Sequence, residues 1–115
     1  MKREYYIMKC DGLQKVKCIG KIITVNGYEF GINRVTMQDD TKYSLTELST
    51  GMSIKMASTL KEIKCIADSQ ISIFFNQLEN ISLKREFMNS QEKYNELLIF
   101  HNNNKSCYPQ SEIAY

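Results

Sequence analysis

Tryptophan is absent from this sequence, and proline and histidine each occur once. With one proline and five glycines there is little material for a long structureless linker, so the 115 residues are expected to fold as one unit. Splitting the chain would leave pieces too small to bury a useful core. A single histidine also closes most routes to acid–base catalysis. No stretch approaches the ~20 apolar residues of a membrane span. Met1-Lys2-Arg3 starts like a secretory leader, but Glu4 follows, and the apolar run Tyr5-Tyr6-Ile7-Met8 ends at Lys9, short of the ~7–15 residues a leader core needs. A cytoplasmic protein without membrane contact is the expectation. The four cysteines, Cys10, Cys18, Cys65 and Cys107, form no C-x-x-C pair, and one histidine cannot complete a Cys/His metal set. Free thiols in a reducing compartment follow. No Walker loop, G-x-G-x-x-G or G-x-S-x-G occurs. No catalytic residue, cofactor or metal site is therefore expected.

What is present reads as two halves. The first is rich in strands. Arg3–Cys10 is a short apolar-rich run ended by the turn Asp11-Gly12. Val16 to Val25 is crowded with β-branched residues, and Asn26-Gly27 follows at once, both tolerating the positive φ of a two-residue type I′ hairpin. Tyr28, Phe30 and Ile32 then alternate with Glu29, Gly31 and Asn33, as in a half-buried strand. Asp39-Asp40 and Thr50-Gly51 mark further turns, with alternating strands at Tyr43–Thr46 and Met52–Met56. The second half is helical. Thr59 and Glu62 match a capping box, and Leu60, Ile63, Ala67, Ile71, Phe74, Phe75 and Leu78 recur every three or four residues. Asn80 can end that helix. A second amphipathic stretch carries Leu83, Phe87, Tyr94, Leu97, Leu98 and His101, and it either continues the first helix or follows it.

The expected fold is thus α+β. An antiparallel meander of four to five strands over residues 1–57, with Arg3–Cys10 at one end, is followed by a packed amphipathic helix and a second C-terminal helix within 58–101. Residues 102–115, with three consecutive asparagines and Pro109, read as a flexible tail.

Two surfaces stand out as binding candidates. Charge is uneven: residues 1–64 carry 11 basic and 7 acidic side chains, residues 65–115 carry 4 and 6. Lys9, Lys15, Lys17, Lys21 and Arg34 crowd the first strands, near Tyr5 and Tyr28. Such a mixture on one face can grip phosphates and stack bases. It is equally the pattern of lysines that keep strand edges soluble over a tyrosine-containing core, and a pI near 8.3 lies below that of most dedicated nucleic-acid binders. On the second helix, Phe87, Tyr94, Leu97 and Leu98 can pack on the sheet, form the seam of a homodimer, or meet a partner. His101 falls at the helix end, where a cation suits the dipole. A Cys107–His101 dyad would lie beside the tail, which cannot hold its geometry. Asp39-Asp40 reads as turn chemistry rather than a carboxylate pair.

The middle of the chain carries Asn26-Gly27-Tyr28-Glu29-Phe30-Gly31-Ile32, then Tyr43-Ser44-Leu45-Thr46-Glu47-Leu48-Ser49-Thr50-Gly51-Met52-Ser53-Ile54, then Ser58-Thr59-Leu60-Lys61-Glu62-Ile63. Over residues 22–67 this resembles small orphan proteins of phages, plasmids and conjugative elements in low-GC Gram-positive bacteria. The resemblance implies a non-enzymatic protein that inhibits host defence or regulates transfer. A type II-A anti-CRISPR protein, which binds the host nuclease Cas9 or interferes with its guide-RNA loading, is the leading case. A small nucleic-acid-binding regulator acting on RNA or DNA and a homodimeric interaction protein are the alternatives.

Overall fold

The structure, a computed structural model, describes residues 3–9, 12–37 and 40–104. Cys10, Asp11, Asp39, Cys107, Pro109 and the expected tail beyond Asn104 lie outside the described residues. The chain is α+β: β1 (Glu4–Lys9), β2 (Gly12–Lys17), β3 (Ile23–Val25), β4 (Tyr28–Met37), β5 (Asp40–Glu47), β6 (Met52–Ala57), α1 (Leu60–Gln77) and α2 (Ile81–Asn104). β3 to β6 form a four-stranded antiparallel meander in sequence order. Its first turn is the one the dipeptide Asn26-Gly27 dictates, with φ of 52° and 82°.

β1 does not extend this meander. It pairs with β2 as a separate hairpin, Glu4 opposite Lys17 and Lys9 opposite Gly12. The β-branched run Val16–Val25 is correspondingly not one strand. It serves β2, then bends through Cys18–Ile22, with Gly20 at φ 78°, and returns as β3 beside β4. Two backbone hydrogen bonds tie the hairpin layer to the sheet: Ile19 N–H donates to Ile32 O at 2.7 Å, and Met8 N–H to Gly51 O at 2.7 Å.

Alternation along β4 gives the sheet two occupied faces. Phe30 and Ile32, with Leu45 and Ala57, meet Ile63, Ala67, Ile71 and Phe74 of α1. The other face turns to the hairpin, where Tyr5, Ile7, Val16, Cys18 and Val35 form a smaller core. Polar groups share that second layer. Fully buried Asn33 accepts from the Tyr5 hydroxyl (2.8 Å) and the Thr46 hydroxyl (2.7 Å) on one oxygen, and Ser44 joins Thr46 to Ser53. Buried hydroxyls and amides are costly unless paired, so this chain fixes how the hairpin sits on the sheet.

Residues 59–104 form two helices. Thr59 caps α1 by accepting from Glu62 N–H at 3.1 Å, while the Glu62 carboxylate reaches the Ser58 amide rather than that of Thr59. α1 ends at Gln77, and Asn80 opens α2 by accepting from Leu83 N–H at 3.1 Å. Asn80 therefore starts the second helix rather than ending the first. α2 continues to Asn104, so residues 102–104 are helical rather than tail. Among the described residues no helix is long and apolar enough to cross a membrane.

Candidate functional site

The turns at Asn26-Gly27 and Leu48–Gly51 fall at the same end of the sheet, because β3–β4 and β5–β6 are both hairpins closing there; Leu48 N–H donates to Glu29 O at 2.9 Å. The start of β1 reaches this end too. α2 crosses it, held by Phe87 at one side and Tyr94 at the other: Phe87 meets Phe74 edge-on and Tyr28 at a tilt, with ring centres 5.2 and 5.8 Å apart, and the Tyr94 hydroxyl donates to Tyr6 O at 2.5 Å. Gln91 adds a hydrogen bond to the Ser49 hydroxyl at 2.8 Å.

These elements do not close flush. They leave a cleft of about 700 Å³ lined by Arg3, Tyr5, Tyr6, Tyr28, Glu29, Glu47, Ser49, Gln91, Tyr94, Asn95 and Leu98, among others. That volume falls within the range of ligand sites, about 300–1,000 Å³. Arg3 and Glu29 form a two-pronged ion pair at the rim, 2.8 and 3.1 Å, with both side chains substantially exposed. The hydrogen bond from Arg3 holds the Glu29 carboxyl below its usual range, and the same contact raises the Arg3 guanidinium. An exposed pair contributes about 1 kcal/mol or less, so it fixes the shape of the rim more than the stability of the fold. At the floor, Glu47 is 1% exposed, and its carboxylate accepts from Ser49 N–H, Thr50 N–H and the Thr50 hydroxyl at 2.8, 3.0 and 2.8 Å. This carboxylate organises its own turn.

The structure collects some of the sequence candidates and scatters others. Tyr5, Tyr28, Tyr94 and Leu98 all line the cleft. Phe87 packs into the core beside it, and Leu97 is half-buried. Phe87, Tyr94 and Leu98 are therefore turned toward the body, the first of the three arrangements open to them. The basic residues do not share one face. Lys15 and Lys17 lie on the outer side of the hairpin, opposite Tyr6 and Glu4, and Lys15 pairs with Glu4 at 3.4 Å. Lys9 lines a separate cleft of about 260 Å³ with Val35, Ser44 and Met56. Lys21 is exposed on the link between β2 and β3. Arg34 is on the α1 side of β4, its guanidinium 5.9 Å from the centre of the Tyr43 ring. Alternation explains the dispersal, since odd and even positions of β1, β2 and β4 point to opposite sides. His101, in the last turn of α2, sets its ring edge-on to Tyr6 at 5.0 Å. Cys18 is buried and Cys65 exposed, both as free thiols. Among the described residues no three His, Cys, Asp or Glu side chains gather closely enough to hold a metal ion.

Arg3, Glu29, Glu47, Ser49, Gln91 and Asn95 were not apparent from the sequence. Arg3 and Glu29 are 26 residues apart, and no local spacing announces the pair. No family model, curated protein or solved structure matches the chain.

Burial raises the pKa of both inner tyrosines, Tyr94 to about 12 and Tyr5 further. A folded-state pKa above the unfolded value of about 10 means that stability is complete below pH 10. It is lost as pH rises from there through the folded value. Between pH 10 and its folded value each of the two should cost up to about 1.4 kcal/mol per pH unit. Thermal unfolding followed by circular dichroism between neutral and strongly alkaline pH should show a steep decline, shallower in Tyr94→Phe and Tyr5→Phe. A wild-type curve as flat as the variants' would contradict the burial of these hydroxyls.

Proposed function

We propose that the protein acts without catalysis, by binding another protein, and that the tyrosine-lined cleft under α2 takes a segment of that partner. The observation that carries this reading is the cleft itself. It combines half-exposed Tyr6 and Tyr28 with the Arg3 rim and the amides of Gln91 and Asn95. Tyrosine and arginine are the residues that dominate protein-binding surfaces, offering broad contact with few rotatable bonds. In the setting that the sequence resemblance implies, the partner is a host nuclease such as Cas9, and binding inhibits it in the manner of an anti-CRISPR protein.

A pull-down with Cas9 and its guide RNA, followed by a DNA-cleavage assay, tests the partner. Ser49→Arg tests the cleft, because it sends a long side chain across the opening from a half-buried position in the turn that lines it. Affinity should fall about tenfold or more, equivalent to about 1.4 kcal/mol, with thermal stability lowered by only the lost Gln91 hydrogen bond, about 1 kcal/mol. Undiminished binding by that variant would remove the cleft from the account. Failure to capture any nuclease would remove the anti-CRISPR assignment.

One observation favours a second reading. Tyr6, Lys15 and Lys17 share the outer face of the hairpin, a small platform for a nucleic-acid backbone and a stacked base. It predicts RNA or DNA binding that weakens steeply with salt and is abolished by Lys15→Glu with Lys17→Glu, changes that leave the cleft untouched.

A further inference from the structure

We infer that α2 carries a self-complementary seam on which a second copy of this chain docks, antiparallel. The inner side of α2 is defined by Phe87, Tyr94 and His101, which are half-buried or buried. Of the large apolar residues of α2 that are exposed, Ile81 at 76%, Met88 at 55% and Ile99 at 61% lie far round the helix from that side on one line, while Leu83 and Phe100 lie off it. Spacings of 7 and 11 residues bring Ile81, Met88 and Ile99 within about 20° of one another at 100° per residue. The direction they share is about 140° away from Tyr94. They thus form a second apolar stripe along one line of α2. Apolar side chains scattered singly on a surface need no explanation, and what sets these three apart is that they share one line of the helix.

Charge placement says what fits there. Glu92 lies on the stripe itself, and Arg85 and Glu96 flank it on one side. In a parallel pairing of two copies, each Glu92 would face its own counterpart across an apolar seam, and like charges there are destabilising. In an antiparallel pairing about a two-fold axis near residue 90, Ile81 meets Ile99 of the other copy twice over. The same flank then faces the same flank, so Arg85 of each chain opposes Glu96 of the other. Met88 covers the aliphatic stem of the opposing Glu92. A two-fold interface requires such self-matching of one patch. With three apolar positions per helix the seam is small, and the expected dimer is weak and reversible.

Sedimentation velocity of the full chain over a wide concentration range tests this. The wild type should shift from monomer to dimer as concentration rises. Met88→Asp and Ile99→Asp should remain monomeric, with unchanged circular dichroism because these side chains are exposed. Arg85→Glu and Glu96→Arg should each weaken association about tenfold or more, and the double exchange should restore it. A wild type that stays monomeric throughout, whether because its own residues 105–115 or another partner covers the stripe, overturns the proposal. So does a dimer indifferent to Met88→Asp, or a double exchange no better than the single ones. Cleft binding by the monomeric variants would show that the two surfaces stand or fall separately.

Discussion

Phe30→Ala should lower the unfolding free energy by about 3–5 kcal/mol, the cost of deleting a buried aromatic side chain and leaving a cavity. Phe30 is 0% exposed and sits where β4 meets α1. Phe74 and Phe75 approach its ring edge-on at 5.6 and 5.9 Å, each with an interplanar angle of 83°. Such pairs contribute about 0.5–1.5 kcal/mol beyond the area they bury, and alanine removes both. The remaining rings cannot collapse into the space, because Phe74 is held by Phe87 and Phe75 by Tyr28. A domain of this size has only about 5–15 kcal/mol in total, so the midpoint of thermal unfolding should fall by about 10–25 °C. The chain lacks tryptophan, so far-UV circular dichroism in a urea titration is the natural readout. Ile73→Ala, on the exposed side of α1 at 47% exposure, is the control and should change stability by less than about 0.5 kcal/mol. A cost below about 1.5 kcal/mol for Phe30→Ala would mean that α1 and the sheet do not share a close-packed core.

The parts of this fold legible in the sequence are those set by neighbours in the chain. Asn26-Gly27 needs no tertiary help to make its turn, and Thr59 with Glu62 starts α1 from within four residues. The meander follows from alternation across Tyr28–Ile32 and Tyr43–Thr46. The bend in the Val16–Val25 run was not legible, because β-branched residues suit pairing with β1 as well as with β4. Gly20 is its only local mark. Both stripes of α2 were in the sequence, but the denser one, through Phe87, Tyr94, Leu97 and Leu98, hid the other. Ile81, Met88 and Ile99 spread over 19 residues with charges between them, and only the packing of Tyr94 against β1 shows which side faces out. The cleft was least legible of all. It exists because β1, two turns and α2 converge, and no segment contains that information.

Gly51→Ala is expected to cost about 2–5 kcal/mol, and the reason bears on the whole site. Gly51 lies in the β5–β6 turn at φ +67°, where a β-carbon alone costs about 1–2 kcal/mol. It also sits where three elements meet. An added β-carbon would lie 2.5 Å from Tyr94 Cε1, 3.0 Å from Tyr6 O and 3.1 Å from Met8 N. Two of those atoms are backbone of β1. The third belongs to a ring whose hydroxyl is fixed on Tyr6 O. Relief therefore requires β1, the turn or α2 to move, and overpacking of this kind costs about 1–3 kcal/mol. Gly27 separates the two contributions: its φ is +82°, but no atom lies within 4 Å of the added carbon. Gly27→Ala should pay the conformational term alone, about 1–2 kcal/mol. The excess in Gly51→Ala then measures how firmly α2 is clamped to the hairpin through Tyr94. In that variant amide hydrogen exchange around Gln91–Leu98 should accelerate more than in α1, because the strain falls on the Tyr94 contact. Equal costs for the two alanines, with α2 no less protected, would mean that α2 gives way freely, and a cleft walled by so loose a helix would have no fixed shape to offer a partner.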